Sequence, residues 1–105
     1  MDIINPENQF KKALRLLDIG RTEEASGILH DIITHIDQEQ HPLLFIRASC
    51  ALGELLFING ETAAARKHLL NVMHTLPDDD IADYEKSVAT DILHQIADRD
   101  SRDHI

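Results

Sequence analysis

The chain contains no tryptophan, a single tyrosine and three phenylalanines, so aromatic residues make up only 4% of it. A core must therefore come from aliphatic side chains, and Leu, Ile and Ala are abundant. Glycine occurs four times and proline three times, which leaves long stretches without a helix breaker. The alternating Val, Ile and Thr runs that mark strands are missing. The fold class left standing is all-α, and 105 residues are enough for one domain.

With Cys50 as its lone cysteine the chain forms no internal disulfide, and it suits a reducing compartment. The opening MDIINPENQF has no basic segment followed by an apolar one, so no signal peptide is expected there. Long hydrophobic runs are absent too. The longest apolar region, Leu43 to Ile58, is interrupted by Arg47 and Glu54 and is too short to span a bilayer. A soluble, cytoplasmic protein is the expectation. Basic residues are few, ten against 19 acidic ones, for a net charge of −9. Nucleic-acid binding needs Lys and Arg gathered on one face, so it is excluded as a function class, as are anionic membrane surfaces. The segment from Asp78 to Ile105 holds nine acidic and three basic residues, and would steer a basic partner towards that end.

Caps and apolar spacing predict five helices. Asn5 caps the first and Pro6 opens it, with Phe10, Ala13, Leu14, Leu16 and Leu17 as its apolar face. Gly20 ends it and Thr22 caps the second, whose stripe is Ala25, Ile28, Leu29, Ile32, Ile33 and Ile36. After the polar loop DQEQH, Pro42 opens a third helix that is apolar almost all round. Only a narrow line of it, Arg47, Cys50 and Glu54, is expected to meet water. Gly60 ends that helix and Thr62 caps the fourth, with Ala65, Leu69, Val72, Met73 and Leu76 facing inward until Pro77. The fifth starts within Asp78, Asp79 and Asp80 and carries Ile81, Tyr84, Val88, Ile92 and Ile96. It is expected to fray in the charged tail DRDSRDHI.

Superimposing Gly20 on Gly60 brings Leu16 onto Leu56, Thr22 onto Thr62, Ala25 onto Ala65, Leu29 onto Leu69 and Ile32 onto Val72. Turn, cap and buried positions agree, which marks a repeated helical pair. In the second copy Leu52, Gly53, Leu56, Gly60, Ala65, Leu69, Val72 and Pro77 stand at the spacing of a tetratricopeptide repeat. Residues 46–79 thus resemble one complete repeat of that family. Residues 6–39 resemble a second, with Ala13 at the small position, Lys12 where a Leu is usual and Asp37 in place of the closing proline. The copies are offset by 40 residues rather than 34, so about six residues lengthen the second helix or its following loop.

The resemblance implies antiparallel helical hairpins stacked as a short solenoid within a single domain, residues 1–99. The fifth helix, about 79–97, would act as a terminal cap, and 100–105 would form a disordered tail. Two pairs and one helix are few for a continuous core. Either the fifth helix closes the stack or a second subunit does, as a homodimer over Leu43, Leu44, Phe45 and Ile46.

Motifs for chemistry are absent. The seven histidines include no pair at i, i+4 on a helix. Only Asp91 and His94 combine a carboxylate with an imidazole at i, i+3. Metal sites need three or four converging ligands, so scattered surface histidines are the reading, with no metal and no cofactor. Cys50 lies mid-helix among Ala48, Ala51 and Leu52, whereas reactive thiols favour accessible, electropositive settings. No nucleophile elbow, phosphate-cradling loop or Rossmann fingerprint occurs, and no enzyme is expected.

What the resemblance does imply is a groove, because in that family the first helix of each pair lines a concave surface that holds peptides. Here that line is Glu7, Phe10, Leu14 and Leu17 on the first helix, then Arg47, Cys50, Glu54 and Phe57 on the third. Arg47 would hold a carboxylate, Glu54 a basic side chain, and Phe10 with Phe57 apolar anchors. The blander reading pairs Arg47 with Glu54 and leaves the apolar members to packing. The expected function is a non-catalytic adaptor binding a protein or peptide, with a preference for basic partners. The alternatives are an acidic immunity protein or inhibitor that neutralises a basic toxin, and a secretion chaperone.

Overall fold

In a computed structural model that describes residues 5–75 and 82–103, helix α1 (Pro6–Asp18) starts where Asn5 and Pro6 place it. The Asn5 side-chain oxygen accepts a hydrogen bond from the Asn8 backbone N–H at 3.3 Å. Four more helices follow: α2 (Thr22–His35), α3 (Pro42–Ile58), α4 (Thr62–His74) and α5 (Asp83–Asp103). The described residues contain no strand. The expected start of the fifth helix at Asp78–Asp80, together with Leu76, Pro77 and Ile81, lies outside the described residues.

The two hairpin turns are built alike. Gly20 and Gly60 sit at φ 83° and 84°, a left-handed conformation that a side chain makes costly by about 1–2 kcal/mol. The Gly20 N–H donates to Leu17 O and the Arg21 N–H to Leu16 O. In the second turn Gly60 donates to Phe57 O and Glu61 to Leu56 O. These crossed bonds satisfy the last carbonyls of α1 and α3. They also correct the expected caps. Arg21 and Glu61 take the cap positions, with no side-chain cap bond, and Thr22 and Thr62 become the first helical residues. The turn closes one residue sooner than the threonines suggest, so Ala25 already bonds to Arg21 O and Ala65 to Glu61 O.

Each helix packs on the next, and α5 also reaches back to α3. The molecule measures 48 × 32 × 23 Å, its thinnest dimension being about two helix diameters. Its core has two parts. Ala13, Leu16, Ala25, Leu29 and Ile32 close on Ala48 and Leu52 of α3. Ala65, Leu69, Val72, Ala82, Ala89, Ile92 and Ile96 close on Ile46 and Cys50 from its other side. The paired positions of the repeat, Ala25 with Ala65, Leu29 with Leu69 and Ile32 with Val72, are all fully buried. Where α3 meets α4, a Cβ added to Gly53 would lie 2.7 Å from Leu69 Cδ2. The absent side chain sets how closely that pair approaches.

Several expectations need correction. Tyr84 is 75% exposed; the buried line of α5 runs through Ala89, Ile92 and Ile96, with Glu85 one turn before them. Met73 also faces outward. The helix does not fray at residue 98. It continues to Asp103, because Asp100 accepts a bond from Arg66 on α4 at 2.8 Å and Arg99 lies 4.6 Å above the Phe57 ring. Phe45 and Ile46 are spent on the chain's own core, so they offer no surface to a second subunit.

Candidate functional site

The third helix places Arg47, Cys50 and Glu54 on one line, three and four residues apart. The first helix does the same with Phe10, Leu14 and Leu17. These six side chains line a single cavity of about 430 Å³ between α1 and α3, and Tyr84 and Glu85 of α5 complete it. Ala51 and Leu55 supply further apolar wall. A second cavity, of about 380 Å³, adjoins it through Phe10 and Arg47 and runs towards Glu7, His41 and Leu44. Together they form one groove along the α1–α3 face.

Two of the expected site residues stand differently. Phe57 does not line the cavity; it is half-buried against the core, with the Arg99 guanidinium over its ring. Cys50 lines the cavity but is only 6% exposed, so the expected water-facing line is interrupted at its middle. Its Sγ–H donates to the Glu85 backbone carbonyl at 3.7 Å. Burial first, then the charges of Glu54 and Glu85, push the thiol up to about 12. A buried thiol in acidic company is protonated at any ordinary pH. In the folded protein, a thiol-exchange reagent near neutral pH is expected to label Cys50 at least about a hundredfold more slowly than in the unfolded chain. Equal labelling rates would show that the thiol is neither buried nor held protonated.

The charged groups pair across the groove rather than along α3. The Arg47 Nε donates to Glu85 Oε1 at 3.3 Å, so the local Arg47–Glu54 pair is not formed. Glu85 is mostly covered, with a side chain 13% exposed against 48% for Arg47. Its second oxygen, Oε2, is buried and has no hydrogen-bond partner. Glu54 is exposed and has no ion-pair partner among the described residues.

Sequence reasoning missed Tyr84 and Glu85. The signal was present: Glu85, Ala89, Ile92 and Ile96 recur at helical spacing, which puts a carboxylate on the buried line of α5.

Other candidates remain dispersed. No group of three or more His, Cys, Asp or Glu among the described residues could hold a metal ion. His68 is held below the ordinary histidine pKa by burial first, then by Lys67 and His30, and its Nδ1 is buried without a partner. Among the described residues, no helix is long and apolar enough to cross a membrane. Compared with protein-family models, curated proteins and solved structures, the chain matches none of them.

Proposed function

We propose that the protein is a small non-catalytic interaction module, which holds a peptide or a segment of a protein partner in the groove between α1, α3 and α5. One observation carries this reading. Six side chains expected from the repeat converge on one cavity, with apolar walls and three charged groups, Arg47, Glu54 and Glu85, among its lining residues. That mix of apolar anchors and a few polar groups is what binding sites share. A tetratricopeptide-like stack accounts for it, since the first helix of each pair would stand beside the next and α5 would close the row. A buried, protonated Cys50 fits packing better than nucleophilic chemistry, and a free thiol persists in a reducing cytoplasm.

The test is capture from lysate of the source cell with wild-type protein and with a Leu14→Glu variant. Leu14 is 40% exposed on the groove wall and contributes little to the core, so helicity should not change. A partner held by wild type and lost by the variant is the expected outcome. Retention by the variant would move the site off the groove. A single basic partner bound at picomolar to nanomolar affinity would favour the inhibitor or immunity-protein reading over an adaptor.

A further inference from the structure

The groove reading leaves the chemistry of the occupant open, and the ion pairs narrow it. Arg47 is the residue that sequence alone would assign to an incoming carboxylate. In the structure its guanidinium is already engaged by Glu85. An acidic ligand would have to displace a carboxylate that is largely buried, so the groove is poorly suited to anions.

The balance of charge at the same place points the other way. Two carboxylates, Glu54 and Glu85, and one guanidinium line a cavity whose apolar walls include Phe10, Leu14 and Leu17. Glu54 is exposed and unpaired among the described residues, and Glu85 keeps a buried oxygen that has no donor. Buried acceptors without donors are uncommon and costly. A donor brought by a ligand would satisfy this one. The chain as a whole carries −9, which favours the approach of a cation over that of an anion.

We propose, resting on the groove reading, that the occupant is a cationic amphipathic segment of a partner protein. One of its Lys or Arg side chains sits between Glu54 and Glu85, and its apolar side chains lie on Phe10, Leu14 and Leu17. Arg47 stays on Glu85 Oε1 and holds that carboxylate in the cavity wall, so the incoming cation meets the exposed Glu54 first and reaches the covered Oε2 through a small shift of the Glu85 side chain.

Tyr84 makes the proposal measurable. It is the only tyrosine in a chain without tryptophan, and it lines the cavity. Its fluorescence therefore reports events at the groove. The probes are three synthetic helical peptides of one length, free of aromatics, with leucine on one face and lysine, glutamine or glutamate on the other. Each is titrated into the whole chain and into two charge-reversed variants, Glu54→Lys and Asp31→Lys. Both variants change the net charge equally. Asp31 is an exposed residue of α2, which lines neither cavity.

The lysine peptide is expected to change Tyr84 emission and to bind about tenfold tighter than the glutamine peptide, the difference of one charge pair. Glu54→Lys should remove most of that preference, whereas Asp31→Lys should change it by no more than about twofold, through long-range charge alone. If the glutamine peptide binds as well as the lysine one, or if the two variants weaken binding equally, cation recognition at Glu54 and Glu85 is wrong while the groove reading survives. If no peptide perturbs Tyr84 and Leu14→Glu retains the natural partner, the groove itself fails and this proposal with it.

Discussion

Replacing Leu69 by alanine is expected to cost about 2–5 kcal/mol, the range for deleting a large aliphatic side chain from a packed core. Leu69 is fully buried and lies against the bare backbone of Gly53. Since domains of this size hold about 5–15 kcal/mol in all, the loss would show as a large fall in the denaturant midpoint. Gly53→Ala is the informative companion. Alanine suits a helix better than glycine by about 1 kcal/mol, so an open helical site would gain from the change. Gly27, with nothing within 4 Å of an added Cβ, is such a site. At Gly53 the added methyl meets Leu69 far inside contact distance, and overpacking costs about 1–3 kcal/mol. The net effect is expected to be destabilising. The double variant decides the cause. A methyl on residue 53 can occupy the space that Leu69→Ala vacates, so the two losses should sum to more than the double variant shows, by about 0.5–3 kcal/mol. Additive losses would mean that the Gly53–Leu69 contact does not set the spacing of α3 and α4.

Ser49→Ala is expected to stabilise the protein by about 1–2 kcal/mol, which reverses the usual direction for a core substitution. The Ser49 hydroxyl is fully buried in the middle of α3, and its oxygen has no hydrogen-bond partner. Removing an unpaired polar atom ends its desolvation cost, alanine nearly preserves the shape, and helix propensity favours the change by a few tenths of a kcal/mol. Urea unfolding should give a higher midpoint at an unchanged slope. A lower midpoint would mean that the hydroxyl does bond, the natural acceptor being the Phe45 carbonyl one turn earlier, and that the unpaired description is wrong.

The local grammar of this chain was readable because it is strong and repeated. The capping bond of Asn5, the left-handed Gly20 and Gly60, and the burial of Ala25, Leu29 and Ile32 with their counterparts all follow from residues within a turn or two of one another. The threonines misled by one position, because a crossed turn and an N-cap compete for the same few residues. On α5, Tyr84 and Glu85 are neighbours in sequence, and either continues the Val88–Ile92–Ile96 or Ala89–Ile92–Ile96 line at helical spacing. Aromatic character favoured Tyr84. Tertiary packing chose Glu85, since Arg47, 38 residues away, supplies its counter-charge. Six of the eight expected groove residues do share a cavity and Glu7 lines the one adjoining it, whereas Phe57 was claimed by Arg99, and no local pattern could foresee that. The continuation of α5 from residue 98 to Asp103 has the same origin, in ties to Arg66 and Phe57 that only the fold creates.

The division of the core has a dynamic consequence. Helices α1 and α2 hold α3 through Ala48 and Leu52, while α4 and α5 hold it through Ile46 and Cys50. If either half opens, the other still grips α3, so amide exchange is expected to be slowest there and faster towards both ends of the chain. The groove spans this division, with α1 on one bank and α5 on the other. An occupant that touched both banks would fasten the two halves to each other directly as well as through α3.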